Sequence, residues 1–255
     1  MNKTVRVVAN GEAYVDELCT HLIQPSDIEP WEQDSGSLFF SGSAGSNTIT
    51  NPVIPMESSG DESNCTSCLP VTVIEPPRFS FFRRPITNKI PCEEITLTQL
   101  HAILTSDHAK EATEELRTIS DVDAAKDFKR KNFDFVTPAG VFSSRKADQL
   151  INPSGLIVMD IDGLPDEDAV ETTFQSLLSI QILETLLLFR SPSGHGLKWI
   201  VPVVNNEGHD HGFYFKAVSN FLKTIGVFVD PSGSDICRAC FVPYDPDAFI
   251  NPMCM

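Results

Sequence analysis

The chain lacks any long apolar run. No stretch of its 255 residues approaches the roughly 18 consecutive apolar residues that span a membrane, and residues 1–3 are not followed by the apolar core of a signal peptide. We therefore expect a cytoplasmic protein with no membrane partner. Seven cysteines, an odd number, then predict reduced thiols. A four-thiolate zinc site built from Cys65, Cys68, Cys237 and Cys240 is an alternative that this spacing leaves open.

Basic side chains are also scarce. The chain has 19 Lys and Arg against 35 Asp and Glu, for a formal net charge of −16. This balance argues against a protein that coats DNA nonspecifically, because such proteins must neutralise phosphates. The deficit is uneven: residues 1–75 hold 2 basic and 11 acidic side chains, residues 76–150 hold 12 and 11, and residues 151–255 hold 5 and 13.

A local basic groove for nucleic acid is therefore compatible with the composition. Its candidate side chains are Lys126, Lys129, Arg130, Lys131, Arg145 and Lys146. Several of them also fit the solvated, basic end of a helix that begins near Asp121, and the two interpretations are compatible.

Hydrophobic periodicity divides the chain into two parts. Residues 33–70 are rich in Ser, Gly, Asn and Pro, which is typical of a linker or a disordered segment. Residues 4–15 could form a small hairpin about Asn10-Gly11. We predict a mostly linker-like or disordered extension over residues 1–77 and one folded domain over residues 78–255.

The folded domain is predicted to be α+β. Its first half indicates an α/β unit, with a strand at 80–82 and helices at 96–105, 111–119 and 121–131. Its last hundred residues indicate a strand at 156–162, a helix at 166–178, strands at 185–190 and 197–204, a helix at 211–225 and a strand at 227–230. The order β-α-β-β-α-β is that of a ferredoxin-like or RNA-recognition-like sheet, with helices on one face and chemistry on the other.

Two carboxylates end the first of these strands. Asp160 and Asp162 stand at i and i+2, so both point to one face with Cα atoms about 6.5 to 7 Å apart. Such oxygen ligands suit Mg²⁺ or Mn²⁺. Two like charges after a buried strand are costly without a cation, although a solvated turn is the alternative.

A Ser/Gly turn at residues 191–196 separates the next two strands. Its glycines would let backbone amides approach phosphate oxygens, and Arg190 and Lys198 flank it. This pattern favours an anion site, whereas an ordinary hairpin is the alternative.

These motifs together resemble a known family. The stretch from about residue 79 to residue 251 resembles the BT4734-like, or VirE N-terminal, domain of mobile-element proteins, within the archaeo-eukaryotic primase superfamily. The resemblance rests on four segments, which are Phe82-Arg83-Arg84-Pro85-Ile86-Thr87-Asn88, residues 155–162, residues 191–199 and residues 235–246.

The resemblance implies a primase-polymerase-type fold and metal-dependent nucleotidyl transfer in the replication of a mobile genetic element. It implies that Asp160 and Asp162 hold the metals with Asp230, with Asp235 as a rival third carboxylate. Implied substrates are nucleoside triphosphates and a single-stranded template, and a separate helicase or mobilisation protein is a further implied partner.

The resemblance also implies a phosphate-binding set. Ser193, Gly194 and Gly196 match the family's turn, Lys198 stands where the family has a His, and Arg238 matches a phosphate-binding Arg. His195 is a further candidate. Lys can meet a triphosphate as a point charge, but it cannot reproduce the geometry of an imidazole.

Two other classes stay open. A non-catalytic nucleic-acid-binding module would keep the fold without the chemistry. Residues 156–164 also resemble the first motif of haloacid-dehalogenase-type phosphatases, in which the first Asp is a nucleophile on a parallel sheet.

Overall fold

The computed structural model describes residues 75–203 and 210–255, together with two short strands nearer the amino terminus. These are β1 (Arg6–Val7) and β2 (Ala13–Tyr14), which pair antiparallel as predicted for residues 4–15. The predicted linker over residues 33–70, with Cys65 and Cys68, lies outside the described residues.

The remaining elements of the described ranges are ten strands and five α-helices. The strands are β3 (Arg78–Phe82), β4 (Glu93–Thr96), β5 (Phe135–Thr137), β6 (Gly140–Phe142), β7 (Leu150–Pro153), β8 (Leu156–Asp162), β9 (Leu187–Arg190), β10 (Gly196–Pro202), β11 (Cys240–Phe241) and β12 (Phe249–Ile250). The helices are α1 (Leu97–Thr105), α2 (Lys110–Thr118), α3 (Val122–Asn132), α4 (Glu167–Leu178) and α5 (His211–Thr224). The predicted α+β class is confirmed.

Four of the helices begin at side-chain caps. Thr96 and Gln99 form a capping box at α1, and Asp121, Asp166 and Asp210 accept the first free amide hydrogens of α3, α4 and α5. These residues satisfy donors that have no partner inside the helix. None of the helices in the described ranges combines the length and apolar character needed to cross a bilayer.

Two four-stranded antiparallel sheets form the body of the domain. Their strand orders are β11-β5-β3-β4 and β12-β9-β10-β8, while β6 and β7 form a separate ribbon. In β8, Ile157, Met159 and Ile161 pack in one apolar cluster with α4 and α5. Leu156 and Val158 pack on the other face with residues of the first sheet and α1. Because side chains alternate along a strand, Asp160 and Asp162 lie on this second face.

The prediction of a fourth strand at residues 227–230 is wrong, because this segment forms no strand. Val227 donates its amide hydrogen back to Leu222 at the end of α5, and Pro231 begins a turn of 3₁₀ helix. Only Asp230 reaches the free edge of β8, where its amide donates to the Asp160 carbonyl at 2.8 Å. The opposite edge of the sheet is taken by β12.

Candidate metal and anion site

Three carboxylates converge at the end of β8. Asp160 and Asp162 come from the strand, and Asp230 is fixed beside them by the backbone hydrogen bond to Asp160. One carboxylate oxygen from each of the three residues lies within 4.8 Å of the other two. Because hard divalent cations prefer carboxylate oxygens, this donor set fits Mg²⁺ or Mn²⁺. The structure thus brings together the three carboxylates predicted from the sequence.

Asp235, the rival for the third position, is not part of this carboxylate cluster. Its Oδ1 accepts hydrogen bonds from the amide of Cys237 at 3.1 Å and from the Cys237 thiol at 3.2 Å. These bonds turn the Asp235 carboxylate toward its own loop.

Lys198 lies directly across the antiparallel ladder from Asp160. The Lys198 side chain is buried, and its ammonium contacts Asp160 Oδ1. Burial raises the pKa of Asp160, which Lys198 only partly offsets. Burial alone would lower the pKa of Lys198, but Asp160, together with Cys240 and Asp162, raises it overall. Lys198 is therefore charged and would compete with a bound cation for Asp160.

Asp230 is held in its ionised form. Burial alone would raise its pKa, but hydrogen bonds from the side chain and amide of Ser232, with the charges of Arg238 and Lys198, lower it overall. The Ser232 amide donates at 2.9 Å, and Arg238 Nη2 donates at 3.2 Å. Arg238 thus lies beside the carboxylate cluster, where its partner is the Asp230 carboxylate.

Two backbone amides of the Ser/Gly turn donate hydrogen bonds within the turn itself. Ser191 donates its amide hydrogen to the Gly196 carbonyl at 2.8 Å, and Gly194 donates to the Ser191 carbonyl at 2.9 Å. Ser193 and His195 are exposed. These bonds are those of a hairpin, the alternative interpretation of this segment.

Gly196 has a packing role next to the carboxylates. A Cβ at this position would lie 2.5 Å from the Ile161 carbonyl oxygen and 2.9 Å from Asp162 Oδ1. Gly194 adopts φ +84°, and Arg117 of α2 covers it, with Nε donating to the Pro192 carbonyl at 3.4 Å. Arg117 was not predicted, since nothing in the sequence of α2 places it beside residue 192.

A cavity of about 550 Å³ opens in front of Asp160 and Asp162. Six basic and three acidic side chains line it. Ser191 and Pro192 contribute to the lining, whereas Ser193, Gly194 and His195 do not. The basic side chains are Lys126, Lys129, Arg130, Arg145, Lys198 and Arg238. The predicted basic groove is therefore divided, because Lys131 and Lys146 are exposed outside the cavity.

The loop after β3 contacts two of the basic residues that line the cavity. Ile86 donates its amide hydrogen to the Arg130 carbonyl at 2.8 Å, and its own carbonyl accepts from Arg145 Nη2 at 2.9 Å. The Arg145 amide donates to the Lys89 carbonyl at 2.7 Å. The motif at residues 82–88 therefore positions basic groups at the cavity.

The cysteine pair in this region does not favour zinc. Cys240 is buried, and burial raises the pKa of its thiol to about 12. Burial and the neighbouring Asp235 raise the pKa of Cys237 to about 11. Zinc binds thiolates, so these environments oppose the four-thiolate alternative.

The architecture is an antiparallel α+β domain with an acidic cluster at a cavity whose charged lining is mainly basic. A model of the BT4734-like N-terminal domain family matches residues 127–249, a range that contains the three carboxylates, the Ser/Gly turn and Arg238. The chain is thus similar to that family over this range. No curated protein and no solved structure matches the chain significantly.

Proposed function

We propose that the protein is a metal-dependent nucleotidyltransferase of the primase-polymerase type that acts in the replication of a mobile genetic element. The observation that carries this proposal is the convergence of Asp160, Asp162 and Asp230 in one cluster, of which Asp160 and Asp162 line the cavity. Similarity to the BT4734-like domain family over residues 127–249 supports it. The substrates are nucleoside triphosphates and a single-stranded template, and a separate helicase or mobilisation protein is the expected partner.

The proposed roles follow from the positions of the side chains. Asp160, Asp162 and Asp230 would hold Mg²⁺ or Mn²⁺, which supplies activation of the attacking 3′ hydroxyl and charge stabilisation at the leaving pyrophosphate. Lys198 neutralises part of the charge of Asp160 and so reduces repulsion among the carboxylates. Arg238, which lines the cavity, donates a hydrogen bond to Asp230 of the cluster.

Incorporation of labelled nucleotides tests this proposal. The full chain, with a primed single-stranded template and Mn²⁺ or Mg²⁺, is expected to extend the primer, and Mn²⁺ is expected to be at least as effective. Asp160→Asn, Asp162→Asn and Asp230→Asn should each abolish extension. Asp235→Asn is the matched control, because it removes a carboxylate from the same cavity but not from the cluster. Extension that survives in Asp160→Asn would contradict the proposal.

One observation favours a second candidate, a non-catalytic nucleic-acid-binding module. The Lys198 ammonium lies against Asp160, where it competes with a cation for the same oxygen. A module of this kind would bind single-stranded oligonucleotide without incorporation under either metal, and its binding would not change in Asp160→Asn.

The phosphatase alternative does not fit the sheet. It requires the strand before the first Asp to lie in a parallel sheet, but β8 pairs antiparallel with β10, as β10 does with β9. Hydrolysis of a simple phosphate ester that depends on Asp160 alone would restore this alternative.

A further inference from the structure

Three side chains of the basic cavity form what we term the cationic wall. They are Lys129 and Arg130 of α3 and Arg145 of the loop after β6. Within residues 75–203 and 210–255, none of the three makes an ion pair with a carboxylate, whereas Lys126 pairs with Asp123. Uncompensated cations that share one cavity repel one another. A ligand of opposite charge would relieve this repulsion.

Two side chains of the cationic wall, those of Lys129 and Arg145, are held by aromatic and backbone contacts. Lys129 is half-buried, with its ammonium 5.8 Å from the centre of the Phe241 ring. The Arg145 guanidinium lies 5.1 Å from the centre of the Phe135 ring. Arg145 Nε is buried and has no hydrogen-bond acceptor in the described part of the chain. These contacts fix the cations without satisfying their charge.

The carboxylates across the cavity do not meet this need. Burial and the nearby Lys198 lower the pKa of Lys129, although Asp162 and Asp160 act in the opposite direction. The carboxylates therefore do not fully offset the burial of the Lys129 ammonium. An anion at the cationic wall would offset it further.

We propose that the cationic wall binds a polyphosphate, namely the triphosphate of the nucleotide substrate. This assignment rests on the proposed function and differs from a site on the Ser/Gly turn, whose exposed residues do not line the cavity. A triphosphate concentrates several charges within one cavity, as the three cations do. A single strand instead carries one charge per nucleotide and would spread its charges along a groove.

Binding of inorganic tripolyphosphate to the full chain, without divalent metal, tests the assignment. Lys129→Gln and Arg145→Gln should each weaken binding by roughly tenfold or more, since each removes a charged hydrogen-bond donor. The matched controls are Lys131→Gln, on the same helix, and Lys146→Gln, next to Arg145. Both remove the same charge from exposed positions outside the cavity and should change the affinity by less than about twofold, as expected for screened surface charges. Lys129→Arg keeps the positive charge and should still bind tripolyphosphate. Retained binding in this variant would show that position 129 tolerates substitution, so the loss in Lys129→Gln is not caused by misfolding.

A second arm uses a thymidine oligonucleotide, so that free polyphosphate and backbone phosphate are distinguished. If Lys129→Gln loses oligonucleotide binding but keeps tripolyphosphate binding, the assignment is overturned. If Ser193→Ala loses tripolyphosphate binding while Lys129→Gln keeps it, the polyphosphate site lies at the Ser/Gly turn instead. Because this experiment involves neither metal nor chemistry, its result is independent of whether the protein extends primers.

Discussion

Lys198 shows how a single residue changes the interpretation of the site. The family resemblance implies a phosphate contact at this position, but the ladder places Lys198 opposite Asp160, and side chains of directly opposed residues lie on one face. The register between β8 and β10 depends on the whole length of both strands and on the turn between β9 and β10. The sequence therefore predicts both residues as part of the site without predicting that they contact each other.

Asp134 provides a prediction at the same scale. Its carboxylate accepts hydrogen bonds from the Arg84 amide at 2.8 Å, His108 Nε2 at 2.9 Å and Arg83 Nη1 at 3.1 Å. Burial alone would raise the pKa of Asp134, but these bonds outweigh burial and lower it. An acid whose pKa is lowered on folding stabilises the fold above its unfolded-state pKa of about 3.9, and this contribution disappears as the pH falls through the folded-state pKa.

We therefore expect the free energy of unfolding of the wild-type protein to decrease below about pH 4. Asp134→Asn should be less stable at pH 7 and should lose much of this decrease. Urea unfolding between pH 3 and pH 7 measures both, with the exposed Asp148→Asn as control. Parallel pH profiles for wild type and Asp134→Asn would show that Asp134 does not supply the effect.

At the scale of elements, the longer helices and strands of residues 78–255 were predictable, and most of the short strands in that range were not. The ends of α3 follow from its Asp121 cap and its basic last turn, and β8 follows from its apolar run. By contrast, β11 and β12 have two residues each, so they exist only through partners distant in the chain. The failed strand at residues 227–230 has a local cause, because α5 retains the Val227 amide and Pro231 ends the extended segment.

Gly196 tests the packing of β10 against β8. Gly196→Ala should destabilise the protein by about 1–3 kcal/mol, as overpacking does, because its Cβ would meet the Ile161 carbonyl oxygen at 2.5 Å. Gly212→Ala is the control, since its nearest neighbour is at 3.5 Å. Urea unfolding compares the two variants. Equal stabilities would mean that the strands separate at little cost.

At the scale of the whole molecule, charge is segregated. The chain carries −16, yet its cavity is lined by six basic and three acidic side chains. The sequence predicted the carboxylates with Lys198 and Arg238 as one site, and the other four basic residues of the cavity as a separate groove. Their meeting could not be predicted, because it requires α3 and the loop of Arg145 to fold over the end of β8 through contacts between the two sheets.

The domain boundary is a second prediction at this scale. Among the described residues, the apolar clusters begin at Phe79. The sequence before residue 78 lacks the apolar periodicity that builds a core, so we expect residues 1–77 to be dispensable for folding. Limited proteolysis should leave a stable core that begins between about residues 65 and 80. A shortest stable fragment that retains residues 1–30 would instead make the hairpin of β1 and β2 part of the domain.

The central claim is that Asp160, Asp162 and Asp230 form a divalent-cation site, and metal binding tests it most directly. Calorimetric titration of Mn²⁺ into the full chain should give saturable binding that is lost in the double variant Asp160→Asn/Asp162→Asn and strongly weakened in Asp230→Asn. Asp235→Asn should bind as the wild type does, because its carboxylate bonds within its own loop. Unchanged Mn²⁺ affinity in the folded double variant would contradict the claim.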